Sequence, residues 1–243
     1  MMSREDCIAI IPARMESSRL PGKLLKLIGS KSVLLRTYEQ VQKSALFNRV
    51  VVVCDHERLA DEIRDVDGTA LYVPKEFESG TDRIADVANQ FDEKIIVNVQ
   101  GDEPFIQQSA LSKLLSLFED EKLEVASLMR PFKDEAEMRT ASAVKVFVDQ
   151  FGRALDFSRD IQAFGRELPE NHIIRKHVGV YGFRKEALER FSSLSPSGLE
   201  LEEKLENLRM IEHNFELYLA EIESESLSID TQEDLDRANR LIS

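Results

Sequence analysis

Residues 7–23 read CIAIIPARMESSRLPGK. The apolar run Cys7–Ile11 breaks at Pro12, and Arg14, Arg19 and Lys23 then share one short loop. A short apolar run closed by a proline predicts a strand, Cys7–Pro12. Gly22 allows close backbone approach to a ligand. Three cations gathered where a strand ends suit a polyphosphate. A solvated loop, its cations paired with nearby carboxylates, suits the spacing equally well, and both readings stay open. Neither the phosphate loop G-x-x-x-x-G-K-[ST] nor the dinucleotide G-x-G-x-x-G is present.

Outward from this stretch, strand and helix patterns alternate. Helices are expected at Ser32–Ser44, Glu57–Arg64, Thr81–Phe91 and Ser109–Phe118. Strands are expected at Arg49–Cys54, Ala70–Val73, Lys94–Val99 and Val125–Met129. RVVVVC and KIIVNV are continuous apolar runs, the mark of parallel strands buried on both faces. Such a βαβ series predicts an α/β protein with a mostly parallel sheet flanked by helices. From about residue 130 the pattern changes. Ala143–Val148 and Arg153–Phe157 read as a hairpin turning at DQFG, Asp149–Gly152. Then follow strand Val178–Phe183, helix Lys185–Ser192, one long charged helix Leu199–His213, strand Phe215–Ile222 and helix Thr231–Ile242. Thr231 and Asp234 have the spacing of a capping box. Without repeats or a linker, residues 1–243 are expected to form a single domain, with an antiparallel elaboration at about 130–190.

Composition narrows the function classes. The net charge of -13 over 243 residues argues against nucleic acid as a partner. A local cationic cluster still attracts a small anion, because screening leaves short-range interactions intact. No apolar run approaches the ~20 residues of a membrane span. The polar N-terminus, MMSREDC, has no signal-peptide core, and a cytoplasmic location is expected. Cys7 and Cys54 lie in strand-like runs and read as buried, reduced thiols. The four histidines are scattered, with no zinc-site spacing.

Three further stretches carry candidate chemistry. In VNVQGDEP, Asn98–Pro104, Asp102 lies just past a strand end, where ligands bind in open α/β sheets. A carboxylate there suits a hard cation such as Mg²⁺, or is an ordinary acidic turn. In SIDT, Asp230 precedes the last helix, so it either stabilises the helix dipole or completes a metal site with Asp102. In ESGTDR, Ser79, Gly80 and Thr81 form either a helix cap or an anion-binding nest.

Taken together, the motifs resemble those of one family. IIPAR…SSRLPGK, CDHE, ESGTDRIADV, IIVNVQGDEPFI, AVKVFVDQFGRAL, FSR, KHVGVYGFR, EKLENLR and SIDTQEDL follow, in order, the pattern of the 3-deoxy-manno-octulosonate (Kdo) cytidylyltransferases, the CMP-Kdo synthetases of lipopolysaccharide synthesis. The likeness runs from about Ile8 to Ala238. It implies a Rossmann-like nucleotidyltransferase (GT-A-like) sheet with an antiparallel dimerisation elaboration. It implies a homodimer, Mg²⁺ as cofactor, and CTP and an acid sugar as substrates. By the same resemblance Pro12, Ala13, Arg14, Arg19, Lys23, Ser79, Gly80 and Arg83 contact the nucleotide. Lys23, Arg14, Asp102 and Asp230 are catalytic, the two aspartates as metal ligands. Gln100, Arg159, His177, Tyr181, Glu206 and Asn207 hold the sugar. The bland alternatives are a packed strand histidine for His177 and a surface ion pair for Arg159.

The chain departs from that pattern at Asp156, where the family has Tyr, at Asp160–Phe164, at Asn207 in place of Gln, and at Ser228 in place of Gly. The first three are expected on the sugar side. A carboxylate there would disfavour an anionic sugar unless the sugar carried an amino group, although a lone Asp ordinarily faces solvent. Kdo is the expected substrate. A different ulosonic acid such as 8-amino-Kdo, or nucleotide binding without sugar turnover, are the alternatives.

Overall fold

The computed structural model describes residues 3–161, 171–223 and 227–242. In chain order, β1 is Cys7–Ala13, β2 Leu27–Ile28, β3 Lys31–Ser32, α1 Val33–Lys43, β4 Arg49–Cys54 and α2 Glu57–Arg64. There follow β5 Thr69–Tyr72, α3 Gly80–Ala88, β6 Ile95–Val99, α4 Gln108–Ser116, β7 Val125–Arg130 and α5 Glu135–Arg139. The rest are β8 Lys145–Val148, β9 Ala154–Ser158, β10 Ile173–Arg184, α6 Lys185–Ser192, α7 Gly198–Glu203, α8 Asn207–Glu212, β11 Leu217–Glu221 and α9 Gln232–Ile242. They form two compact units, Met2–Ser112 with Glu225–Ser243, and Lys113–Ser224.

In the first unit, strands β6, β1, β4 and β5 pair side by side in that order, all parallel. Every residue of β1 and of β6 is buried, which explains why these segments show no polar alternation. The chain moves outward from β1 to β4 to β5, then returns to β1's other edge as β6. The strand order therefore reverses beside β1, where open α/β sheets form a ligand crevice. Helices α1 and α3 begin at side-chain caps. Ser32 Oγ accepts the Leu35 N–H at 3.1 Å, and Ser79 Oγ accepts the Asp82 N–H at 3.1 Å. At α9, Thr231 Oγ1 accepts the Asp234 N–H, and Asp234 Oδ2 accepts the Thr231 N–H, a reciprocal capping box.

The second unit holds β11, β7, β10, β8 and β9 in that spatial order. Only β11 and β7 are parallel. The β7–β10, β10–β8 and β8–β9 pairs are antiparallel, which is the elaboration expected from about residue 130. Rings run in series through the core: Phe157, His177, Tyr181, Phe183, Phe191 and Phe215, each centroid 5.2–6.3 Å from the next. Gly182 is required by this packing, since a Cβ there would lie 2.6 Å from the Phe118 ring.

Some expectations change here. The single helix Leu199–His213 is two helices, α7 and α8, parted at Lys204, whose φ of 54° is left-handed. The break turns Arg209 back onto Glu200, where its Nε and Nη2 donate to the carboxylate at 2.7 and 2.5 Å with both groups buried. The guanidinium also lies 4.2 Å from the Phe191 ring centroid. The strand expected to begin at Val178 begins at Ile173. Its first residues, Ile173–His177, are half-buried and mix charge with apolar character, so their pattern carries no clean period. The short helix α5 and the β2–β3 pair were not signalled in the sequence. Residues 162–164, part of the departure noted at Asp160–Phe164, lie outside the described residues.

Removing one member of a buried ion pair strands the other charge and costs roughly 3–5 kcal/mol. Arg209→Ala is expected to lower the unfolding free energy in urea by about that amount. Replacing both partners, Arg209→Met with Glu200→Leu, is expected to restore most of it.

Candidate active site

In the first unit, three loops meet at the carboxyl ends of β1 and β6. The loop after β1 carries the cations, and Gly22, at φ 65°, turns it back so that Lys23 opens a short 3₁₀ turn. The loop after β6 carries Asp102. The segment before α9 carries Asp230. The last two are joined directly, since the Ile229 N–H donates to the Asp102 carbonyl at 2.9 Å. Ser228 Oγ donates to the buried Glu103, a bond that the glycine expected at this position would lack. Thr37 Oγ1 on α1 meets the Gly101 carbonyl at 2.9 Å and braces the same loop from behind.

Lys23 stands at the centre. Its Nζ donates to Asp102 Oδ2, and at 3.0 Å to Asp230 Oδ1. Arg19 Nη2 donates to the same Asp230 Oδ1 at 2.8 Å. Burial alone would lower the Lys23 pKa, but Asp102 and Asp230 outweigh it, and the ammonium is held above its ordinary value. Arg14 is exposed on the same loop. Four of the predicted residues, Arg19, Lys23, Asp102 and Asp230, thus form one network. Two carboxylates meeting on a single cation form an all-oxygen donor set that suits Mg²⁺, an ion bound through one or two carboxylates plus substrate phosphates. No cluster of three or more His, Cys, Asp or Glu residues suited to a metal occurs among the described residues.

Pro12 and Ala13 are the buried end of β1. The Pro12 ring packs against Gly80, where a Cβ would come within 3.2 Å of it and within 3.3 Å of the Gln100 amide. Gln100 Nε2 donates to Asn98 Oδ1 at 3.3 Å, and Asn98 Nδ2 donates to Thr81 Oγ1 at 3.1 Å. This buried amide chain ties the loop after β6 to the start of α3. Arg83, on the next turn of α3, is buried, with Nη1 lacking a hydrogen-bond partner among the described residues. Its Nη2 donates to Asp55. Asp55 belongs to the CDHE motif, and its position directly after a buried strand is the sequence signal for it.

The other predicted sugar residues belong to the second unit. His177 Nε2 and Ser127 Oγ lie 2.9 Å apart, and the same hydroxyl reaches the Val180 carbonyl at 2.9 Å. With the hydroxyl donating to that carbonyl, Nε2 carries the ring proton and Nδ1 remains an acceptor. Burial pushes the His177 pKa down to about 3. Burial, with the Glu206 charge added, raises the Tyr181 hydroxyl well above its ordinary value. A register shift in β10 between Val178 and Tyr181 lets the two rings meet, at 5.3 Å. Asn207 is 1% exposed, and neither of its amide atoms has a hydrogen-bond partner among the described residues. Buried unmade hydrogen bonds cost about 1–3 kcal/mol each, so such an amide is a ready contact for a polar ligand. The Arg159 guanidinium reaches three carbonyls, Glu203 at 2.9 Å, Ala141 at 3.3 Å and Lys204 at 3.4 Å. Ser127 was missed, because a lone serine inside an apolar strand carries no sequence signal.

Asp156 differs from expectation. It is buried, 6% exposed, not solvent-facing. Side chains alternate along β9, so Asp156 lies on the face opposite Phe157, whose ring meets His177. It therefore does not share the His177 face, and the electrostatic case for an amino sugar loses its footing there. Asp160 is exposed.

Comparison with known proteins gives consistent matches. The cytidylyltransferase family model matches residues 8–240. A 3-deoxy-manno-octulosonate cytidylyltransferase of Flavobacterium johnsoniae is 44% identical, covering 97% of this chain and 98% of its own. One from Christiangramia forsetii is 41% identical, covering 99% and 98%. The solved CMP:2-keto-3-deoxy-manno-octonic acid synthetase complexed with CTP superimposes with a TM-score of 0.87 at 33% identity, covering 97% of this chain and 98% of that one.

A histidine whose pKa falls on folding contributes stability that is full above its ordinary value and is lost as pH drops towards the folded value. The His177 ring resonances are therefore expected not to titrate between pH 5 and 8 in the folded protein. A His177→Gln variant is expected to lose less stability than the parent between pH 7 and 5. A ring that titrates near 6.5 would contradict the buried neutral state.

Proposed function

The chain belongs to the 3-deoxy-manno-octulosonate cytidylyltransferase family, and from this premise we propose how its residues join CTP to Kdo. The observation that carries the assignment of roles is the network of Lys23, Arg19, Asp102 and Asp230 at the β1 and β6 loops. The anomeric hydroxyl oxygen of Kdo attacks the α-phosphorus of CTP. The bond from that phosphorus to the bridging oxygen breaks, pyrophosphate leaves opposite the attack, and the hydroxyl proton passes to solvent. Transfers of this kind need positioning and charge neutralisation more than covalent help from the protein.

Arg14, Arg19 and Lys23 neutralise the triphosphate, and Lys23 meets the charge that develops on the leaving pyrophosphate. Gly80, flanked by Pro12 and Gln100, keeps a side-chain-free approach for the nucleoside. Asp102 and Asp230 would hold Mg²⁺, which when bound polarises phosphate oxygens as a Lewis acid. In its absence Lys23 and Arg19 offset the repulsion between the two carboxylates. His177, held neutral, is a poor general base and a good hydrogen-bond partner for a sugar hydroxyl. Tyr181, Glu206, Asn207, Arg159 and Gln100 complete the sugar contacts in this scheme. The unpaired Asn207 amide is the strongest support for that part of it.

The active form is a homodimer built on the antiparallel elaboration. Its support is Phe151, 76% exposed at the β8–β9 turn, and the half-buried start of β10. No helix among the described residues is long and apolar enough to cross a membrane, and the reaction takes place in the cytoplasm, where its nucleotide substrate is found.

Pyrophosphate release with CTP, Mg²⁺ and Kdo tests the scheme. Asp102→Asn and Asp230→Asn are each expected to lower kcat by about 10²-fold or more while remaining folded by circular dichroism. A rate near that of the parent in either variant refutes the metal-ligand roles. Lys23→Ala is expected to depress kcat more than it raises the KM for CTP. An effect on KM alone makes Lys23 a ground-state binder instead.

A further inference from the structure

One side chain outside the nucleotide set touches two parts of it. Asp55 follows β4 directly, at the carboxyl end of the strand beside β1. Its Oδ1 accepts a hydrogen bond from the backbone N–H of Met15 at 2.8 Å, immediately after Arg14. Its Oδ2 accepts from Arg83 Nη2 at 3.2 Å. The Arg83 guanidinium also lies 5.0 Å from the Phe77 ring centroid, so it is fixed on a face as well as at an edge. One carboxylate therefore anchors the cationic loop with one oxygen and orients a buried guanidinium with the other. The Arg83 Nη1 is left open among the described residues, and buried donors in folded proteins are nearly always satisfied. A donor held in place and left open is organised for an acceptor that arrives with a ligand. Asp55, as a carboxylate, is an acceptor only, so it offers no donor to the phosphate oxygens of a nucleotide.

We propose that Asp55 is the positioning residue of the CTP site, holding the loop after β1 and Arg83 in fixed relation so that one nucleotide meets both. This rests on the cytidylyl-transfer scheme above. Asparagine separates the two bonds. Its amide oxygen still accepts from Met15, whereas its NH₂ group cannot accept from Arg83.

The experiment compares the parent, Asp55→Asn, Arg83→Met and the double variant by CTP calorimetry, pyrophosphate-release kinetics and melting temperature. In Asp55→Asn the Kd and KM for CTP are expected to rise about tenfold, or ~1.4 kcal/mol. That rise should exceed any fall in kcat and leave the KM for Kdo within about twofold. In the Arg83→Met background the same substitution is expected to add less than about threefold, because its partner is gone. A lowered melting temperature with unchanged CTP affinity would reduce Asp55 to a structural role and overturn the proposal. Equal losses in both backgrounds would show that Asp55 does not act through Arg83, and would overturn it too. If Asp55→Asn does not fold, Asp55→Glu carries the same comparison, with an intermediate loss expected. A parent protein that binds CTP and releases no pyrophosphate with Kdo would defeat the cytidylyl-transfer scheme, while calorimetry still judges Asp55.

Discussion

The parallel pairing of β1 on both of its edges is the constraint from which the nucleotide side of the molecule follows. With β4 on one side and β6 on the other, β1 has no free edge and no exposed residue. Its carboxyl end and that of β6 then open side by side where the strand order reverses. Lys23 and Asp102, 79 residues apart in sequence, are forced together there. The Ile229–Asp102 backbone hydrogen bond adds the segment before α9 to the same place. Two carboxylates and two cations converge because the sheet leaves their loops nowhere else to run.

That convergence explains how a chain with a net charge of -13 presents a cationic site. Long-range repulsion is screened by salt within about 10 Å, so the local arrangement decides what a ligand meets. Lys23 is the hinge of the balance. Burial opposes its charge, the two aspartates favour it, and the aspartates win. Asp102 and Asp230, brought close by the fold, would repel each other without the ammonium between them. The same pair of carboxylates that suits a divalent ion is thus kept in place by a monovalent one.

The second unit works by desolvation. His177, half-buried at its residue surface, is held neutral by desolvation of its ring within the β-sheet, and desolvation of the buried Tyr181 keeps its hydroxyl protonated. The register shift in β10 and the left-handed Lys204 are the two irregularities that build this region. The first brings His177 and Tyr181 rings into contact. The second ends α7 and lets α8 start with Asn207 inside the protein. Gly179 lies within the first irregularity and is a local mark of it, whereas the left-handed Lys204 is announced by no glycine or proline.

The sequence by itself determined the α/β alternation, since RVVVVC and KIIVNV are too continuously apolar to be anything but buried strands. It also marked the loops after β1 and β6 and the segment before α9, because charged residues directly after such strands have a fixed address at the sheet edge. The reciprocal cap of Thr231 and Asp234 was equally local, and so equally legible. Tertiary structure alone decided the contacts between distant residues. Lys23 could have paired with any carboxylate until the reversal of strand order chose Asp102 and Asp230. Asp156 was expected at the surface, and only the pairing of β9 with β8 put it on a buried face, opposite Phe157. The division of Leu199–His213 at the left-handed Lys204, and the buried Arg209–Glu200 pair that it allows, are not registered by helical periodicity. Periodicity and caps are properties of neighbouring residues and can be read along the chain, whereas charge pairing and burial depend on which segments the sheet brings together.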